Sequence, residues 1–249
     1  MTVEDGVLAR LRGAQKSAAG APAYSRFVNR PLGRLLAALA YRVGLSPSQV
    51  TLISGATTAA GIGVIAVARP TVTTGVVAAL LLVAGYALDA ADGQLARVTG
   101  KGSLAGEWLD HLLDAFKACA LHLAVLVAWY RFFDLEPGWL LVPLVYAVVS
   151  STFFFGVVGA DLLRRIARLQ AASTGAPRAD AGSLRMSPLY SIAVAPADYG
   201  TLCIAIALLG FHGVFTAVYG ALALLNLLVL VISAFRWYRS LKTAGAEGR

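Results

Sequence analysis

Four aspartates, Asp89, Asp92, Asp110 and Asp114, fall within the single stretch DAADGQLARVTGKGSLAGEWLDHLLD. Asp89 and Asp92 are three residues apart and Asp110 and Asp114 four apart, so on a helix each pair shares one face. Long apolar runs carry the stretch, and carboxylates at a membrane are expensive enough to mark a functional site. Two such faces brought together form a four-carboxylate cage, which repels itself unless a divalent cation sits inside. The alternative is ion pairing with neighbouring Arg and Lys, but too few local cations exist to satisfy four acids at this depth. His111, adjacent to Asp110, is expected to point away from the acid face and is not counted as a ligand. His122 and His212 are expected to be satisfied structural histidines, and Asp161 to pair with Arg164 or Arg165.

The elements that must position these acids follow from composition. Of 249 residues, 58% are hydrophobic and 14% charged, with a mean hydropathy of +0.73. Soluble domains carry roughly 25% charged residues, so an all-α integral membrane protein is expected. The first thirty residues contain Arg10, Arg12, Lys16, Arg26 and Arg30 and no apolar core of a secretory signal. Cys119 and Cys203 lie in apolar runs as small core residues, without a disulfide. The net charge of +8 gathers at the ends of apolar segments, with no aromatic interleaving and no nucleic-acid module. Anionic lipid headgroups and phosphate-bearing substrates are therefore the expected partners, and nucleic acid is not.

Along the chain, residues 1–30 are expected to form a polar cytoplasmic arm and residues 31–45 an amphipathic interfacial helix. In the latter, Arg30, Arg34 and Arg42 oppose Leu32, Leu35, Leu36, Leu39 and Val43. Residues 46–240 are expected to form a six-helix membrane domain, with spans near 50–68, 72–93, 107–131, 138–160, 198–213 and 214–235, and 241–249 a cytoplasmic tail. Gly210–Gly213 predicts a tight hairpin between the last two spans, and the Ala-, Ser-, Gly- and Pro-rich stretch from Gln170 to Pro196 a loop. With both termini inside, 18 of the 21 basic residues face the cytoplasm, leaving Arg69 and Arg131 outside and Lys117 within a span. That orientation puts the aspartates at the cytoplasmic ends of the second and third spans.

The residues around the acids spell DxxDGxxAR, eight residues, then GxxxDxxxD, with Asp89, Asp92, Gly93, Ala96, Arg97, Gly106, Asp110 and Asp114 at the fixed positions. This resembles the signature of the CDP-alcohol phosphotransferase family. A basic juxtamembrane helix followed by six spans is also how that family is built, and RxxNRPLGR and SPSQVT resemble its upstream segments. Many members have Asn where Ser48 stands. The resemblance implies transfer of a phosphoalcohol group from a CDP-linked donor to an acceptor hydroxyl, with release of CMP, by a homodimer in the plasma membrane whose active site faces the cytoplasm.

By that resemblance Asp89, Asp92 and Asp110 hold Mg²⁺ or Mn²⁺, and Asp114 joins them and takes the acceptor's proton. Gly93, Ala96 and Gly106 give a nucleotide close access to the backbone or else serve helix packing. Arg97 offers a planar fork to a donor phosphate, and Thr51 is either a cytidine contact or a plain helix-terminal threonine. Lys117 either binds an acceptor phosphate or pairs with Asp114. Arg164, Arg165 and Arg168 either hold an anionic headgroup or anchor the cytoplasmic face. The expected donor is CDP-diacylglycerol in phospholipid biosynthesis, with glycerol 3-phosphate, an inositol phosphate or another polar alcohol as acceptor. Gly106, Glu107, Asp110, His111 and Asp114 also fit relatives that move a small headgroup from a soluble CDP-alcohol to a lipid hydroxyl. Two other classes compete less well. Isoprenoid transferases carry their acidic motifs on separated helix pairs, and a divalent-cation transporter would favour acids at the bilayer midplane.

Overall fold

Helices account for every regular element in the computed structural model, which describes residues 22–173 and 198–246. A π-helical turn, Ser25–Asn29, runs directly into α1, Arg30–Arg42. There follow α2, Pro47–Val67; α3, Val72–Thr99; and α4, Leu104–Phe132. A 3-10 turn, Pro137–Leu140, leads into α5, Leu141–Ser173. The short α6, Tyr199–Ala205, continues as a 3-10 turn, Ile206–Leu208, and α7 is His212–Ala246.

Local chemistry sets the boundaries. Ser46 and Gln49 form a reciprocal capping box ahead of Pro47, and Thr71 and Thr74 do the same for α3. The α3 helix stops at Gly100, whose φ of 66° suits a residue without a Cβ. Three residues later the Ser103 hydroxyl accepts from the Gly106 amide at 3.0 Å and starts α4.

Among the described residues, five helical stretches are long and apolar enough to cross a membrane: Pro47–Val67, Val72–Thr99, Leu104–Phe132, Pro137–Gln170 and His212–Thr243. The chain is thus a multi-pass membrane protein, with Leu80, Val148, Phe155 and Phe235 among the apolar side chains on its outer surface. Of the span expected at 198–213, the described residues form the shorter helix Tyr199–Leu208, capped by the buried Asp198. The expected hairpin follows it, with Gly210 so close to Thr71 and Val72 that a Cβ would strike their backbone.

α2 packs against both α3 and α4; α5 packs against α4 and α7, and α6 lies on α3. At the tightest crossing a Cβ on Gly85 would meet the Thr58 hydroxyl, while the Ser54 hydroxyl donates to the Gly85 carbonyl at 2.8 Å. The main core gathers Leu82, Leu121, Trp129, Ile206, Phe215 and Tyr219. His122 is structural as expected: its Nδ1 is 2.7 Å from the Tyr219 hydroxyl and its ring stacks on Tyr146.

The start of the chain departs from the sequence expectation. Residues 23–29, assigned to the arm, are helical and packed, with Asn29 buried and the Ser25 amide bonded to Asp198. The helix expected at the interface is also packed into the protein. Its small face, Gly33, Ala37 and Ala40, is buried, and a Cβ on Gly33 would stand 2.9 Å from Ala90 Cβ and Gln94 Nε2. Leu32, Leu35, Leu39 and Val43 remain exposed on a second face. At the other end α7 runs through Ala246, so most of the expected tail is helical. Gln170–Ser173 continue α5, whereas the remainder of the expected 170–196 loop and residues 1–21 of the arm lie outside the described residues.

Side-chain contacts gather the basic residues at one end of the bundle. The Gln94 amide nitrogen donates to the Arg30 carbonyl at 3.3 Å, Arg165 reaches Glu107 at 2.7 Å, and Arg164 donates to the Ser240 hydroxyl at 2.8 Å. Arg131 donates to the Ala66 carbonyl at the opposite end.

Candidate active site

Asp92 and Asp110 each lie about two helical turns from the short reversal between α3 and α4, so the reversal alone brings both acid pairs to one level. Both helices pack on α2, and α4 also on α5, but they make little contact with each other, which leaves a cleft between them. Lys117 bridges that cleft. Its Nζ lies 2.8 Å from Asp89 Oδ1 on α3 and 2.5 Å from Asp114 Oδ1 on its own helix. The same ammonium faces the rings of Tyr86 and Tyr199, 6.0 and 5.6 Å from their centroids. The sequence left Lys117 between an ion pair and an acceptor contact; the structure gives it two carboxylates and two aromatic faces.

Asp92 is the most enclosed of the four acids, 6% exposed, and accepts a 2.6 Å hydrogen bond from the Thr51 hydroxyl. Thr51 also contacts the Pro47 carbonyl at 3.0 Å, so its side chain is held beside the acid. Asp110 lies within electrostatic reach of Asp89, Asp92 and Asp114, which completes the four-carboxylate cluster.

His111 corrects the sequence expectation. One of its ring nitrogens, one oxygen of Asp110 and one of Asp114 all lie within 4.8 Å of one another. Helical spacing alone turns residue 111 from the acid face, but the imidazole is long enough to swing back across its turn, and its ring sits edge-on to Phe154 of α5. Oxygen-rich donors with an adjacent imidazole fit a hard divalent cation such as Mg²⁺ or Mn²⁺. Asp89, Asp92, Asp110 and Asp114 would hold it, with His111 beside them.

Of the acceptor-side candidates, Arg165 is committed to Glu107 at 2.7 Å and Asp161 at 2.8 Å, the pairing expected for Asp161. Arg164 meets the neutral hydroxyl of Ser240, and Arg168 is exposed. On the donor side a Cβ on Gly93 would approach only Arg97, at 3.3 Å, and one on Gly106 only the hydroxyls of Ser103 and Ser48, at 3.2 and 3.4 Å. Neither glycine is closed by a neighbouring helix, in contrast to Gly33 and Gly85. Ala96 is half-buried on the same stretch, and Arg97 is exposed at the last turn of α3, within electrostatic reach of Arg30 and Asp92.

Asp198, Tyr86 and Tyr199 escaped the sequence expectation. Asp198 is buried and accepts from the Ser25 amide at 2.9 Å, the Gly200 amide at 2.9 Å and the Tyr86 hydroxyl at 3.3 Å. It joins the segment before α1 to α3 and α6 behind the lysine. An aspartate just before an apolar run is an N-cap signal, and the sequence carried it.

A sequence model of the family described as CDP-alcohol phosphatidyltransferase matches residues 45–237, taking in α2 through most of α7 and all four aspartates. No curated protein sequence matches the chain.

Proposed function

Because the chain belongs to the CDP-alcohol phosphatidyltransferase family, we propose that it transfers a phosphatidyl group from CDP-diacylglycerol to the hydroxyl of an acceptor alcohol, releasing CMP in phospholipid synthesis. Family membership by itself carries the coarser statement, transfer of a phosphoalcohol group from a CDP-alcohol to an acceptor in lipid synthesis. One observation supports the assignment to these residues: four carboxylates converge at one end of two membrane-crossing helices, near two glycines that no neighbouring helix closes. A membrane protein with its cleft at one end of the bundle gives a lipid-linked donor direct access.

In this mechanism Gly93, Ala96 and Gly106 admit the nucleotide close to the backbone, and Arg97 pairs with a donor phosphate. Asp89, Asp92, Asp110 and Asp114 would hold Mg²⁺ or Mn²⁺, which when bound would supply charge neutralisation for the donor pyrophosphate. Thr51 keeps Asp92 in its ligating rotamer, a supporting role we assign in place of a cytidine contact. Asp114 takes the proton of the acceptor hydroxyl as its oxygen attacks the phosphatidyl phosphorus. The bond from that phosphorus to the bridging oxygen breaks, and CMP leaves with the electron pair. Arg164 and Arg168 serve a phosphorylated acceptor, since Arg165 and Lys117 already have carboxylate partners.

We further propose a plasma-membrane homodimer with the cleft facing the cytoplasm, where the basic end of the bundle meets the positive-inside preference. Six crossings fit that arrangement, with Tyr199–Leu208 as the described portion of the fifth. The deciding experiment is a panel of donors and acceptors scored for CMP release with Mg²⁺ or Mn²⁺. CMP from CDP-diacylglycerol with glycerol 3-phosphate or an inositol phosphate supports the proposal. CMP only from soluble CDP-alcohols with a lipid hydroxyl moves the assignment to headgroup transfer, and no CMP from any pair rejects it.

A further inference from the structure

Helix α3 carries Asp89 and Asp92 on a face that α4 hardly touches, so that end of α3 has to be held from its other sides. There, one buried carboxylate collects donors from three parts of the chain. Asp198, 4% exposed, accepts from the Ser25 amide at 2.9 Å through Oδ2, and from the Gly200 amide at 2.9 Å and the Tyr86 hydroxyl at 3.3 Å through Oδ1. Ser25 is 173 residues away in sequence and precedes residue 45, where the family match begins. From this geometry we infer that Asp198 is a positioning residue for the transfer reaction: it clamps residues 22–29 across α3 and α6 and thereby fixes the turn of α3 that presents Asp89 and Asp92. The inference rests on the transferase function proposed above and adds to it a part of the chain outside the matched region.

One carboxylate here caps two helix starts. Asp198 caps its own helix at Gly200, and its second oxygen takes a first-turn amide of the helical segment 23–29, where no carbonyl of the same helix is in reach. The next amide, that of Arg26, already bonds back to the Pro22 carbonyl at 3.0 Å. Aromatic rings close the clamp. Tyr24 stacks on Tyr86 with centroids 6.1 Å and planes 10° apart, Tyr86 meets Tyr199 edge-on at 5.3 Å, and a Cβ on Gly200 would strike the Tyr24 ring. Tyr86 stands one turn before Asp89 on the same face of α3, so a shift of Tyr86 carries the acids with it. The effect on the reaction follows from which groups move together. Gly93, Ala96 and Arg97, proposed to receive the donor, are on α3, whereas Asp114, proposed to take the acceptor proton, is on α4. Loosening α3 therefore moves the donor site as one body and misaligns it against Asp114, which lowers turnover and spares donor affinity.

Two lesions reach the clamp from different sides. Asp198→Asn keeps the size of the side chain but sets an amide donor against the Ser25 N–H, and Gly200→Ala displaces the Tyr24 ring without touching the carboxylate. In the full-length chain in nanodiscs, hydrogen exchange reads the clamp and CMP release reads the reaction. Each variant is expected to speed exchange of the 22–29 amides about tenfold, to lower kcat by up to about 100-fold, and to leave donor KM within about threefold. Leu222→Ala, which opens the main core, is the control for lost stability and is expected to keep kcat at a similarly lowered thermal midpoint. Unchanged exchange, a wild-type kcat despite faster exchange, or an equal loss of kcat in Leu222→Ala overturns the inference, while CMP release by the wild type leaves the transferase function standing. No CMP from the wild type with any donor and acceptor overturns that function and the inference together. Gly200→Ala decides by the same readouts should Asp198→Asn fail to fold.

Discussion

The hydroxyl of Thr51 and the carboxylate of Asp92 belong to different helices and meet at 2.6 Å in a buried position. Replacing Thr51 by Val keeps the shape of the side chain and removes the donor, so Asp92 loses its partner and its fixed rotamer. Supporting contacts of this kind are worth about 10–100-fold in metal affinity or activity, and Thr51→Val is expected to lower Mn²⁺ affinity by roughly that factor. Titration of Mn²⁺ measures it, and unchanged affinity argues that Asp92 is held by its surroundings alone. Asp114 is the residue proposed to take the acceptor proton. Asp114→Asn is expected to abolish transfer while CDP-donor binding, followed with labelled donor, persists. Residual turnover near the wild-type rate excludes that role. The residue scale is also where the sequence misled most. Alternation of helix faces turned His111 from the acids, yet the ring lies with Asp110 and Asp114, because a side chain several bonds long is not bound to the direction of its Cβ.

Two kinds of glycine decide how the elements stand. Gly33 and Gly85 let helices touch, whereas Gly93 and Gly106 are not closed by a neighbouring helix. Gly33→Leu forces a side chain into Ala90 and Gln94, and by the usual scale of overpacking it is expected to cost about 1–3 kcal/mol in a thermal unfolding series in detergent. The same substitution pushes α1 from α3 and with it the segment that carries Ser25 to Asp198. A Cβ at Gly93 approaches only Arg97, so Gly93→Leu is expected to leave unfolding within about 0.5 kcal/mol of wild type. Donor binding, measured on the same protein, is expected to be lost. If stability falls and donor binding persists, Gly93 is a packing glycine after all.

At the scale of the whole molecule, the contacts of Arg30, Glu107, Arg165 and Ser240 put the described ends of the chain at the same end of the bundle as the acids. Single cysteines introduced at Lys101 and Lys242, in a background without Cys119 and Cys203, are expected to react with a membrane-impermeant maleimide only from the cytoplasmic side. One at Arg69 is expected to react only from the outside. Labelling of Lys101 and Arg69 positions from the same side rules out the proposed orientation.

The sequence by itself determined the membrane class, the helix-paired acids and the family signature, because hydropathy, helical period and short-range spacing are local properties that survive without tertiary contacts. Capping was legible as well: Ser46, Thr71, Gly100 and Ser103 mark their helix ends through bonds made within a few residues. The number of full-length spans was not legible in the same way. The apolar run after Pro196 reads as a full crossing, whereas its described helix is short and begins after Asp198, a buried carboxylate bonded locally to Gly200 and, from elsewhere in the chain, to Ser25 and Tyr86. Likewise, only the tertiary structure chose between an acceptor contact and an ion pair for Lys117. Its partners arrive from α3, α4 and α6, and no spacing along one helix can say which of two opposed helices will stand near enough to share its charge.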